Sequence, residues 1–388
     1  TAQAAIGGPL VKDVLAVRLS GLLQRRDDYV SNAVSGRREV MGGYREFAGR
    51  VQALFTPTDR ISALLNFHGR DNQGTSALFR ANILTKGTGK IFAPNYDREN
   101  VFYDGGADNP QEANGWGANA NVAYDFGKIT LTSITAYETA SSSSRGDIDG
   151  GFVGVGSFFN PALPPAPPYR PSTILFPSDT QDSVDDLKQF TQELRLASDG
   201  STAFNWQVGA FYFRSNLKVS TVGPGFPPLT TLKHTNTSWA LFGQASYDLS
   251  EKWRVTGGLR YTEDDRDFVP IQLPPLVTVR PRTSADASNL SGDFSLLYKA
   301  TDDVNLYARV ARGFRGPTIQ GRDVAFAAFS GAVNPQTVAR PEKIMSYEAG
   351  AKSEFFDNRA RLNLAVYYYT VKDQQFSIIG GAGNINQV

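Results

Sequence analysis

Cysteine is absent from the 388 residues. That removes disulfide frameworks, thiolate zinc sites and cysteine nucleophiles together. Histidine occurs only at His68 and His234, so a haem or zinc site would need those two to meet by chance, and neither is assigned to one. A formal net charge of +1 leaves no basic excess for phosphates and argues against nucleic acid as a partner. No apolar run reaches the roughly 18 residues of a transmembrane helix. A mean hydropathy of −0.30 does not exclude a membrane, because a spanning strand needs apolar residues only at every second position. The opening "TAQAAIGGPLVKDV" lacks a charged segment followed by an apolar one. It is not expected to be a signal peptide, and an exported chain starting here is expected to be mature or partial.

What the chain has is alternation. In "NRARLNLAVYYYTVKDQQF" (358–376), Leu362, Leu364, Val366 and Tyr368 interleave with Arg361, Asn363, Ala365 and Tyr367. This is the period of a strand with one apolar and one wetter face. Such stretches come in pairs around short polar turns: 47–70 around "TPTD", 121–137 around "DFGK", 190–213 around "SDGST", 239–264 around "DLSEK", 294–314 around "ATDD" and 346–371 around "FDNR". With a leading strand at 13–25, the alternation rule counts about thirteen strands.

The remaining connections are long, roughly 26–43, 71–116, 141–186, 217–234, 267–288 and 313–344, the gaps left between alternating runs. Pro- and Gly-rich stretches such as "FNPALPPAPPYRPS" (159–172) and "VGPGFPPL" (222–229) are expected to be extended or irregular. Short and long connections alternate, as in transmembrane β-barrels with short periplasmic turns and long extracellular loops. A soluble sandwich has no reason to sort loop length by end. Runs such as 239–249 and 361–371 match the about 9–11 residues that span a bilayer when tilted, against a mode of about 5–6 in soluble strands. Trp239, Tyr247, Trp253, Tyr261, Tyr298 and Tyr368 fall on the apolar face near strand ends, where interfacial girdles place rings. Leu362, Leu364, Val366 and Tyr368 are therefore expected to face lipid. A one-residue slip would turn Arg254 and Arg260 toward hydrocarbon at about 2–4 kcal/mol each near the midplane.

The fold class is all-β, a transmembrane antiparallel β-barrel. Bacterial single-chain barrels use even strand numbers, and an unclosed sheet in lipid leaves unpaired backbone groups. An odd count is thus read as a part of a larger barrel, with residues 1–388 forming a partial barrel domain truncated at its C-terminus and at its N-terminus.

Several segments resemble TonB-dependent receptors, the 22-stranded outer-membrane transporters: "RGFRGP" (312–317), "RPEKIMSYEAGAKSEFFDNRARLNLAVYYYTVKDQQ" (340–375), "FTQELRLAS" (190–198), "LFGQASYDLSEKWRVTGGLRYTEDDRDF" (241–268) and "PLVKDVLAVRLSGLLQRRDDYVSN" (9–32). The likeness covers essentially every strand and fades in the long loops. It implies about thirteen strands of a 22-stranded barrel in the Gram-negative outer membrane, with the plug domain, TonB box and closing strands absent from this stretch. The implied function is active import of a scarce ligand, a ferric siderophore before haem, cobalamin or oligosaccharide. The implied partners are the TonB complex, through plug and TonB box, and outer-membrane lipid and lipopolysaccharide.

Candidate sites follow from these placements. "RGFRGPTIQGR" (312–322) puts Arg312, Phe314, Arg315, Gln320 and Arg322 near the lumen mouth. Guanidinium donors there suit an anionic ligand; strand-end packing or lipopolysaccharide phosphates would use them equally. Arg50, Glu193, Arg195, Arg254, Arg260, Glu348 and Lys352 are expected on the lumen wall, as contacts to wall and plug. "YTEDDRDF" (261–268) is read as a solvated charge run and not a Ca²⁺ site. "DIDGG" (147–151) lacks the later Glu of a calcium loop and is read as a loop, as is the glycine-rich "GGFVGVGSF" (150–158). No metal, cofactor or catalytic residue is expected, because no nucleophile–base arrangement is legible. A passive porin, an outer-membrane enzyme and a soluble adhesive sheet remain the rival readings.

Overall fold

Backbone ladders run along every alternating stretch. The structure is a computed structural model that describes residues 1–388 except 82, 86, 90, 93–95, 105–108, 154–172, 175–178, 223–228, 274–279, 322–335, 358, 377, 380–385 and 388. One 14-stranded sheet contains, in chain order, β1 (Ala2–Val11), β2 (Leu15–Arg26), β3 (Tyr44–Thr58), β4 (Ile61–Thr75), β5 (Pro110–Asp125), β6 (Ile129–Asp147), β7 (Asp179–Ser198), β8 (Phe204–Val222), β9 (Leu229–Asp248), β10 (Trp253–Gln272), β11 (Thr283–Lys299), β12 (Val304–Arg315), β13 (Glu342–Phe355) and β14 (Ala360–Lys372). Each strand is antiparallel to its sequence neighbours. No helix among the described residues is long and apolar enough to cross a membrane.

Two expectations need correction. The sheet holds one strand more than the sequence count, because β1 pairs with β2 from Ala2↔Leu23 to Val11↔Leu15. Gly7, Gly8 and Pro9 had hidden its alternation. The long connections are also shorter than expected. β6 runs to Asp147 and β7 starts at Asp179; β8 runs to Val222 and β9 starts at Leu229. Strands of 19–20 residues exceed what a bilayer requires. Above the membrane both faces meet water, so hydropathy stops alternating while the hydrogen-bond ladder continues.

The loops are not wholly irregular. Val30–Asn32 lies between Arg37–Met41 and Asn100–Val101 in a small three-stranded sheet. Val30, Met41, Val101 and Tyr103 form a buried cluster beneath it. Asn32 and Tyr103 exchange bonds, Asn32 Nδ2 donating to the Tyr103 carbonyl at 2.9 Å and the Tyr103 N–H to Asn32 Oδ1 at 3.1 Å. The 159–172 proline stretch lies outside the described residues.

Opposed residues in an antiparallel ladder share a face, so the register carries each face around the sheet. Leu364, Ala351, Leu306, Tyr298 and Trp253 form one continuous row; Asn363, Lys352, Asn305 and Lys299 form the adjacent row on the other face. The apolar face carries two aromatic belts. One contains Phe67, Trp116, Tyr137, Phe190, Tyr212, Trp239 and Tyr261, with ring centroids 5.6–6.3 Å apart in the pairs Phe67–Trp116, Trp116–Tyr137, Phe190–Tyr212 and Trp239–Tyr261. The other, near the short turns, contains Phe204 with Tyr247 and Trp253 stacked on Tyr298 at 4.4 Å. On β9 the step from Trp239 to Tyr247 is about 26 Å along the strand, the scale of the roughly 25 Å apolar band of membrane barrels. Between the belts, polar side chains satisfy one another: Thr135 donates to Gln192 Oε1 at 2.5 Å and Gln192 Nε2 donates to Ser133 at 3.0 Å. Hydrocarbon offers no water to do so.

Candidate functional site

Ladder parity puts Arg50, Glu193, Arg195, Arg254, Arg260, Glu348 and Lys352 on the same polar face. Several are held by neighbours. Arg254 grips Asp248, its ladder partner, through Nε and Nη2 at 2.5 and 2.8 Å. The Arg260 guanidinium lies between the Phe211 and Phe242 rings, 5.3 and 5.5 Å from their centroids. Gly209 leaves room for this, since a Cβ there would stand 2.5 Å from Phe242 Cζ. Tyr307 donates to Glu348 Oε1 at 2.5 Å and lies under the Lys352 ammonium, 5.6 Å from centroid to Nζ. Arg195 stands 3.7 Å from Glu193. Arg50 lies opposite His68, beside an open groove of about 500 Å³ also lined by Arg18, Ser20 and Arg70. This wall is polar yet largely cross-braced.

The 312–322 set divides. Within β12, Arg315 has the parity of Arg309 on the polar face, whereas Arg312 and Phe314 have the parity of Leu306 and Val310 on the apolar face. Arg312 lies opposite Gly292, two residues from Leu290, which pairs with the belt residue Tyr261. That is headgroup height. Beyond β12 the chain folds over the sheet: Ile319 is buried against Phe268 and Leu232, and a Cβ on Gly321 would overlap the Phe268 ring. Gln320 lies in the short strand Thr318–Gln320 paired with Thr337–Ala339. Arg322 lies outside the described residues. Gln375 ties the loop's two ends, donating to the Gly316 and Arg340 carbonyls at 2.9 Å each and accepting from Thr318 at 2.7 Å.

Two of the four acids in the stretch 261–268 are ion-paired, Asp264 with Arg266 at 2.8 Å and Asp267 with Arg282 at 2.7 Å. The other acidic motif is different. The structure brings Asp147 and Asp149 to Asp179, with oxygens of all three within 4.8 Å of one another. Burial, then the charge of Asp149 and a hydrogen bond shared with it, then the charge of Asp179, push the Asp147 carboxyl up to about 8, against the opposing Gly150 N–H. Burial likewise raises Asp179, with Asp149 adding to it and Arg145 opposing. Local sequence could not show this grouping, because Asp179 is brought in only by the β6–β7 register. The glycine run 154–158 lies outside the described residues.

The sequence model of the TonB dependent receptor-like, beta-barrel family matches residues 45–387. The chain belongs to that family. TonB-dependent receptor barrels are proteins of the Gram-negative outer membrane, and this chain is one of them. Among curated relatives, the pesticin receptor of Yersinia pestis is 28% identical over 194 residues, covering 48% of this chain and 27% of the relative. The pesticin receptor of Yersinia enterocolitica is 27% identical over 194 residues, with the same coverage. The fold matches that of the ferric yersiniabactin uptake receptor FyuA from Yersinia pestis, with TM-score 0.72, 19% identity, 96% of this chain and 52% of that one. The siderophore receptor PiuA from Acinetobacter baumannii gives TM-score 0.62 at 13% identity, over 94% and 54% of the two chains. The chain thus spans about half the length of its solved relatives and about a quarter of the curated ones. For a TonB-dependent barrel the polar face is the lumen wall and the belted face meets lipid.

Proposed function

We propose that residues 1–388 are a barrel portion of an outer-membrane importer for a scarce ligand, a ferric siderophore, gated by a plug domain carried elsewhere in the protein and driven by the TonB complex. The observation that carries this reading is the family match over 45–387; the likeness to a receptor named for ferric yersiniabactin uptake supports the ligand class. A charged, cross-braced wall suits a lumen filled by a polar plug, and the seven wall residues named above are assigned to that contact. Arg315 is assigned to anionic ligand at the lumen mouth, with Gln320 and Arg322 on the same loop. Arg312 and Phe314, with outward parity at the belt, suit lipopolysaccharide and lipid instead. The reading makes the protein a transporter, not an enzyme.

The test is uptake of a radiolabelled ferric siderophore panel by cells carrying the full-length protein. Import should stop when the inner-membrane proton gradient is collapsed, while binding at the cell surface persists. Uptake that continues without the gradient would favour a passive porin.

A further inference from the structure

The β6–β7 connection leaves and re-enters the sheet at two aspartates. β6 ends at Asp147 and β7 begins at Asp179, and the two are a ladder pair. Asp149 lies two residues into the connection, and one carboxylate oxygen from each of the three falls within 4.8 Å of the others. A separate observation points to a ligand. Asp147 is 2% exposed; its Oδ1 accepts the Gly150 N–H at 3.0 Å, but its buried Oδ2 has no hydrogen-bond partner. A buried acceptor left unpaired is costly, more so when charged, and with all three carboxyls ionised the neighbours worsen the balance; it is relieved by a proton shared with Asp149 or by a cation. Oxygens held about 2.3–2.6 Å from a Ca²⁺ ion lie at most about 5 Å apart, so the spread of these three fits around one ion. Mg²⁺ demands near-ideal octahedral geometry at about 2.0–2.1 Å and dehydrates reluctantly, so it is seldom held by protein oxygens alone.

We propose that Asp147, Asp149 and Asp179 bind a hard divalent cation, Ca²⁺ by its flexible all-oxygen coordination, which fastens the two feet of the β6–β7 connection at the outer rim of the barrel. The three aspartates flank or begin the 148–178 segment, so one ion adds a second clasp to the ladder pair that already joins its feet. The alternative is neutralisation of the cluster by Arg145, which acts on Asp179, with no ion bound.

The experiment uses the full-length protein in detergent, stripped with EDTA and titrated with radiolabelled Ca²⁺. One saturable site is expected, in the range of about 10⁻⁴–10⁻³ M seen for extracellular calcium modules. Asp149→Asn and Asp179→Asn should each weaken it at least about tenfold. Asp264→Asn, which removes a carboxylate already paired with Arg266, should leave it unchanged. In wild type, Ca²⁺ should also slow proteolysis within 148–178, a reading that stands even if a variant fails to fold. No saturable binding, equal binding in Asp149→Asn, or protection spread over other loops but not this one would overturn the proposal.

Discussion

The His68 imidazole meets the Glu138 carboxylate across an intervening strand, Nε2 to Oε2 3.2 Å. Both residues are ladder partners of Gly117, His68 from β4 and Glu138 from β6. A Cβ on Gly117 would overlap the Glu138 carboxylate, so the missing side chain is what lets the two reach each other. Asn66 Nδ2 lies 3.0 Å from His68 Nδ1; with the amide donating there, Nε2 holds the hydrogen toward Glu138. Gly117→Ala should fold, because a carboxylate can swing aside, but the pair should be lost. A double-mutant cycle of His68→Ala and Glu138→Ala should give a coupling of about 0.2–1 kcal/mol for this half-exposed pair. In the Gly117→Ala background it should vanish; a coupling that survives there would refute the relay across the strand.

The face assignment has a direct mutational test. Leu259 on β10 points to lipid, 62% exposed, while Thr256 on the same strand shares the wall parity of Arg254 and Arg260. Leu259→Arg should destabilise insertion by about 2–4 kcal/mol if it sits near the midplane, and Thr256→Arg should be tolerated. Urea unfolding in lipid vesicles measures both, and equal effects would invert or abolish the assignment.

Gln375 should act locally. Its side chain makes three hydrogen bonds to the ends of the 316–340 loop, each worth about 1 kcal/mol net. Gln375→Ala should leave the thermal midpoint of the barrel nearly unchanged while raising proteolysis within that loop at least about tenfold. Unaltered cleavage would show that Ile319 packing on Phe268 holds the loop alone.

The rim carries a pH signature when divalent cations are removed. The folded-state value of Asp147, about 8, lies above its ordinary 3.8. Folding thus favours the protonated form. The stability it contributes is full below about pH 4 and erodes as pH rises toward about 8. In EDTA, Asp147→Asn should gain thermal stability relative to wild type between about pH 5 and about pH 8. A difference independent of pH across that range would show that Asp147 stays ionised throughout.

Sequence reading succeeded where one physical constraint acts on each residue in turn. Inside the bilayer, lipid on one side and water or polypeptide on the other force strict alternation. The faces of Leu362, Leu364, Arg254 and Arg260 could therefore be read directly, as could the sorting of short and long connections. It fell short where that constraint lapses. The outer ends of β6 to β10 are wet on both faces and read as loop, and β1 was hidden by Gly7, Gly8 and Pro9.

The chain by itself determined the class of solvent, the alternation of turns and loops, and which side chains share a face within each strand, because all of these follow from local period and composition. Only the tertiary structure decided what meets across strands. Register set Gly117 between His68 and Glu138, gave Arg312 and Arg315 opposite faces beside the folded-back 316–321 segment, and carried Asp179 to Asp147 across the long β6–β7 connection. Those meetings depend on how neighbouring strands align, and no local spacing along the chain contains that alignment.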